Sequence, residues 1–202
     1  MSHKLMNKIL LLGCLVWFSP VAIATGDPEA GKAKAKVCMS CHGVDGNSQN
    51  PAYPKLAGQL EDYIVKQTMD FKSGKRKDEI MSAMIQLIPA PSDLIDIAAY
   101  YAAQPVMAGA PVATAKDKIE RGAELFRNER CIFCHDEGAK PTGPFNPDAP
   151  VIGGQHKQYL FKAMMDIRSQ KRSGDIYNLM YKTLSRLTKE DIEIIAEYLS
   201  SL

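Results

Sequence analysis

At 202 residues the chain can form one large domain or two small ones, and 46% hydrophobic against 24% charged residues excludes a disordered tail, a collagen-like fibre and a multispan membrane protein. The 25 Lys and Arg nearly balance the 23 Asp and Glu, leaving a formal charge of +2 and no long run of one sign. Nucleic acid is therefore not an expected partner.

Residues 1–24 read as a cleavable secretory signal. Lys4 and Lys8 give the positive start, Ile9 to Phe18 is an apolar core too short to span a bilayer, and Ala22-Ile-Ala24 supplies the small residues of a cleavage site. Cleavage there predicts a periplasmic protein, starting near Thr25, that has lost Cys14. The remaining cysteines, Cys38, Cys41, Cys131 and Cys134, form two CxxC pairs, each followed at once by a histidine, His42 or His135.

The mature chain is written twice. Residues 54–76 match residues 150–172 at a shift of 96 with ten identities in 23 positions, among them Pro54/Pro150, Gln59/Gln155, Tyr63/Tyr159 and Arg76/Arg172. We read 25–103 as a first domain, 104–114, rich in Pro, Ala and Gly, as a linker, and 115–202 as a second domain. In the first copy a short helix, in which Gly31 permits close helix approach, leads into Cys38-Met-Ser-Cys-His42. A middle helix follows with Tyr63, Ile64, Thr68 and Phe71, then a basic cluster of Lys72, Lys75, Arg76 and Lys77. The closing helix has Pro91 in its first turn and Leu94, Ile97, Ala98 and Tyr101 at i, i+3, i+4 and i+7. The second copy repeats this with Gly122, Cys131-Ile-Phe-Cys-His135, a middle helix bearing Leu160, Met164 and Ile167, and Lys171-Arg172. Its closing helix carries Ile192, Ile195, Ala196 and Leu199 behind a capping box of Thr188 and Asp191. No strand periodicity competes, so the fold class is all-α. We read the basic clusters as solvated helix ends, with docking to an acidic partner as the sharper alternative. His156 is read as a solvated residue at the start of its helix.

Two cysteines three apart on a helical turn point the same way. Their thiols can add to the two vinyl groups on one edge of a haem, and the next residue then lies beneath the iron. A zinc ribbon would place both CxxC pairs in one small unit, whereas these stand 93 residues apart in separate repeats. Two covalently bound haems c are expected, with His42 and His135 as proximal ligands. The carbonyls of Pro54 and Pro150 are candidates to accept each ring N–H. For the distal position in the second copy, Met180 is the only methionine between the middle and closing helices. In the first copy Met81 and Met84 both qualify: the ungapped shift points to Met84, while counting back from the closing helix favours Met81.

The order CxxCH, Gly43-Val-Asp-Gly-Asn-Ser48, Tyr53-Pro-Lys-Leu-Ala-Gly-Gln59, Met81-Ser-Ala-Met84 and the closing Ile-Ala-Ala-Tyr-Tyr resembles the dihaem cytochrome c4 family over essentially the whole mature chain. The resemblance implies two tandem class I cytochrome c domains related by pseudo-twofold symmetry, with haem propionate edges close together, and Met81 as first distal ligand. The run Cys134-His-Asp-Glu-Gly-Ala-Lys-Pro141 is more similar to the dihaem subunit of flavocytochrome c sulfide dehydrogenase. The expected role is that of an electron carrier, not an enzyme, serving a membrane respiratory complex or terminal oxidase, with a loose membrane association left open. The alternative is an electron-accepting subunit on a flavoprotein.

Overall fold

The computed structural model of the chain describes residues 26–106, 109, 116–139 and 149–202. The predicted signal segment, most of the predicted linker and Pro141 lie outside them. Among the described residues the secondary structure is helical throughout, without strands.

In the first copy, α1 (Pro28–Lys34) starts at Asp27, whose side chain accepts the N–H groups of Glu29 and Ala30. It leads into α2 (Lys36–His42), which carries Cys38, Cys41 and His42 on one short helix. After a loop come α3 (Glu61–Lys72), α4 (Glu79–Met84) with a 3₁₀ turn at Ile85–Leu87, and α5 (Pro91–Ala102), with Pro91 in its first turn. The second copy runs α6 (Lys116–Asn128), α7 (Ile132–His135), α8 (Lys157–Arg168), α9 (Asp175–Leu184) and α10 (Lys189–Ser201). The capping box of Thr188 and Asp191 opens α10.

Each copy closes by packing its first helix against its last, α1 on α5 and α6 on α10. Glycine makes this approach feasible, because a Cβ at Gly31 would overlap the Asp96 carbonyl and one at Gly122 would meet Tyr198 and the Ile194 carbonyl. Lys34 of α1 reaches Asp93 (2.7 Å) and Asp96 of α5, reinforcing the first crossing. The apolar stripes expected of the closing helices face inward: Leu94, Ile97, Ala98 and Tyr101 belong to one buried cluster, and Ile192, Ile195, Ala196 and Leu199 to another. Each copy therefore has its own core. Among the described residues no single helix is long and apolar enough to cross a membrane.

The two copies meet along a polar seam that departs from the expectation for the basic clusters. Arg76 donates to Tyr159 Oη of the other copy (3.1 Å), and Arg172 donates to Tyr63 Oη (2.6 Å), so the equivalent residues are exchanged. Arg172 is buried and stacks over the Tyr177 ring, while half-buried Arg76 lies over Phe71. These two arginines are not solvated helix ends, whereas their neighbours Lys75, Lys77 and Lys171 are exposed. A guanidinium with several donors in a fixed fork can satisfy a phenol and an amide at once, which suits it to a buried junction. His156 is also corrected: half-buried at the N-cap of α8, it sets Nε2 2.8 Å from the Ser48 carbonyl across the seam.

Candidate functional site

Both CxxCH segments open onto one continuous cavity of about 540 Å³, lined by residues of both copies. That volume falls in the range of about 300–1,000 Å³ usual for ligand sites. Cys38, Cys41 and His42 line its first half, Cys131, Cys134 and His135 its second. None of the four thiols is in a disulfide. Burial pushes the Cys38 thiol up to about 11, with Cys41 adding to it, and burial followed by the charge of Glu129 does the same for Cys131. Half-buried thiols raised in this way are not the exposed, readily ionised thiols of a redox dithiol. Among the described residues no three His, Cys, Asp or Glu side chains converge as a metal cluster.

Each histidine is buried and fixed by the loop beyond it. His42 Nδ1 lies 2.8 Å from the Pro54 carbonyl, and His135 Nδ1 lies 3.2 Å from that of Pro150. Burial pulls both imidazoles below the ordinary histidine value, so they stay neutral, and the bond to the carbonyl places the proton on Nδ1. Nε2 keeps its lone pair on a ring that lines the cavity. The loops that supply the carbonyls are built alike, with Leu56 N–H on the Gly46 carbonyl (2.7 Å) and Ile152 N–H on that of Ala139 (2.8 Å). They are pinned to the closing helices by Gly58 N–H on Tyr101 O (2.9 Å) and Gly154 N–H on Leu199 O (2.8 Å).

The methionines sit on helices of their own. Met81 lies in the first turn of α4, where Asp78 caps its N–H, and Met84 ends that helix. Met180 lies in the middle of α9. All three line the cavity, while Met81 and Met180 also pack against the buried clusters of their respective copies.

The lining fits a haem on two further grounds. The walls are apolar, with Ile64, Phe71, Leu94, Leu160, Met164 and Leu199 among them. Six cations also line it: Lys66 and Lys162 are paired with Asp70 and Asp166, whereas Lys55, Arg76, Arg130 and Arg172 form no ion pair with a carboxylate among the described residues. Two buried polar atoms of residues that line the cavity have no hydrogen-bond partner among the described residues, Arg172 Nε and Tyr101 Oη. An apolar macrocycle bearing carboxylates suits such a lining, because a buried unpaired donor otherwise costs about 1–3 kcal/mol.

Sequence reasoning missed the seam residues that border this cavity, Gln59, Gln67 and Gln155 among them. A signal for two of the three was present: Gln59 and Gln155 are identities between the copies, outside either apolar stripe. Gln59 Oε1 accepts Val151 N–H and its Nε2 donates to Val151 O, both at 2.9 Å. Gln155 does the same with Lys55 N–H and O, again at 2.9 Å each.

Comparison with known proteins agrees with this geometry. The cytochrome c family profile matches residues 28–101 and again 119–202. Cytochrome c4 of Pseudomonas aeruginosa is 37% identical over the whole of both chains. The crystal structure of reduced recombinant cytochrome c4 from Pseudomonas stutzeri superposes with a TM-score of 0.78 at 36% identity, covering 88% of this chain and 99% of that one. A thiosulfate dehydrogenase electron acceptor of Thiomonas intermedia is 31% identical over 96% of this chain and 88% of its own length.

Proposed function

This chain belongs to the cytochrome c family, as a two-domain member of its cytochrome c4 branch, and from that premise we propose that it is a periplasmic carrier passing single electrons between respiratory partners, towards a terminal oxidase. It carries two covalently bound haems c, one for each CxxCH. In this reading Cys38 and Cys41 would hold the first by thioether bonds, with His42 and Met81 as its iron ligands, and Cys131 and Cys134 would hold the second, with His135 and Met180. When bound, the haem supplies an iron that takes up and returns one electron. The protein's own residues fix the imidazole tautomer, exclude water and offer a thioether that favours the ferrous state relative to a second imidazole. The observation that carries the reading is the pair of buried histidines, each with Nδ1 on a proline carbonyl, in one apolar cavity that also takes in Met81 and Met180.

Mass spectrometry of the exported protein tests the cofactor content: two haems and no free thiol are expected, and a zinc-loaded or disulfide-bonded chain overturns the reading. The ferric protein is expected to be low-spin with the weak near-infrared band of methionine–iron ligation. Met180→Ala should remove the second haem's share of that band and Met81→Ala the first's, while Met84→Ala leaves it intact. The reverse result for the last two assigns Met84 instead. With His42 and Met81, and His135 and Met180, holding the two haems, no open site would remain for peroxide, so membranes containing a terminal oxidase should oxidise the reduced protein quickly and hydrogen peroxide only slowly.

A second reading is supported by the relative that serves as electron acceptor to thiosulfate dehydrogenase. In that case the chain takes electrons from a docked dehydrogenase, and the two would be isolated together.

A further inference from the structure

Each proximal histidine is tied to the opposite domain through a single peptide group. The Pro54–Lys55 peptide accepts the His42 Nδ1 proton at its carbonyl (2.8 Å), while its N–H donates to Gln155 Oε1 (2.9 Å). The Pro150–Val151 peptide accepts from His135 (3.2 Å) and donates to Gln59 Oε1 (2.9 Å). Both glutamines are buried, and each amide oxygen takes a second N–H from its own chain neighbour, His156 or Leu60, at 3.0 Å. These backbone partners fix which end of the amide is oxygen.

We propose that Gln155 and Gln59 are crossed positioning residues, each setting the electron-donating strength of the other domain's axial histidine. A peptide whose N–H is engaged carries a more negative carbonyl oxygen, because hydrogen bonds in a chain polarise one another. That oxygen holds the Nδ1 proton more strongly and makes Nε2 a better donor to iron, as partners behind a metal-bound histidine generally do. A stronger donor favours ferric iron, so loss of the glutamine raises the potential of the haem in the opposite domain. Glutamines that only glued the domains together would affect their own side, or both sides alike.

The proposal rests on His42 and His135 being the axial histidines. The test uses the holoprotein and a redox titration in which the two haems are resolved by their paramagnetic NMR signals, assigned with Met180→Ala. Gln155→Leu is expected to shift the ferric-to-ferrous balance of the first-domain haem towards ferrous on the order of threefold or more, leaving the second-domain haem unmoved. Gln59→Leu is expected to do the converse. Gln155→Glu keeps the acceptor oxygen and should hold the first-domain potential at or below its original value, which keeps the test open if a leucine variant fails to fold. A shift in the variant's own domain, in both haems or in neither overturns the proposal while two low-spin haems remain. A chain without haem overturns it together with the functional reading.

Discussion

Gln170 follows the C-cap Ser169 of α8 with φ at 58°, in the left-handed region where glycine is at ease. At the equivalent place after α3 the first copy has Gly74, with φ at 76°. A side chain in that conformation costs about 1–2 kcal/mol, of which glycine's greater unfolded freedom offsets about 0.5–1 kcal/mol. Gln170 is exposed, so Gln170→Gly is expected to raise stability by about 0.5–1 kcal/mol in denaturant titration. Gly43 and Gly46 show the same replacement, standing opposite Asp136 (φ 47°) and Ala139 (φ 53°) of the second copy. At this scale the sequence was most readable where chemistry demands a particular side chain. The cysteines and histidines line one cavity and each histidine meets its proline carbonyl, as the spacing led us to expect, because control of the imidazole tautomer admits few alternatives.

Helices reveal themselves in sequence when they bury a stripe, and α5 and α10 do so throughout. The helices bearing the methionines, α4 and α9, were not foreseen. At six residues α4 is too short to display a period, and its Ile80 is 54% exposed, whereas α9 does bury a stripe, Tyr177, Met180, Tyr181 and Leu184 at i, i+3, i+4 and i+7, which the reading of the sequence passed over. The close crossings of α1 on α5 and α6 on α10 were legible from Gly31 and Gly122, and they carry a prediction. Gly31→Ala would drive a methyl into the Asp96 carbonyl and Gly122→Ala into Tyr198 and the Ile194 carbonyl. Backbone atoms cannot swing aside as a side-chain tip can. Each substitution is therefore expected to destabilise by about 1–3 kcal/mol despite alanine's better helix propensity, as thermal unfolding of the holoprotein would report.

The duplication was readable at the scale of the molecule, but not the way the halves meet. An identity between copies says that a residue is kept, not towards what it points, and Arg76 and Arg172 on charge alone suit a solvated helix end. In the fold they cross between domains, so the two cores should unfold together. Calorimetry of the holoprotein is expected to show one transition. Arg172→Met removes the bonds to Tyr63 and to Gln67 Oε1 (2.7 Å), and at about 1.5–3 kcal/mol for each bond to a charged group it should separate the unfolding of the domains into two steps.

Gln67 has no counterpart across the seam. Its Oε1 accepts from Arg76 (2.8 Å) as well as Arg172, its Nε2 donates to Tyr177 Oη (3.0 Å), and the matching position of the second copy is Ala163. A group that receives the same bond from two symmetry-equivalent arginines occupies a spot the two halves share. Two identical subunits would bring two glutamines to it or none. Joining the copies in one polypeptide lets them differ there, as positions 67 and 163 do, so that one glutamine serves both arginines, an asymmetry that two interchangeable chains could not supply.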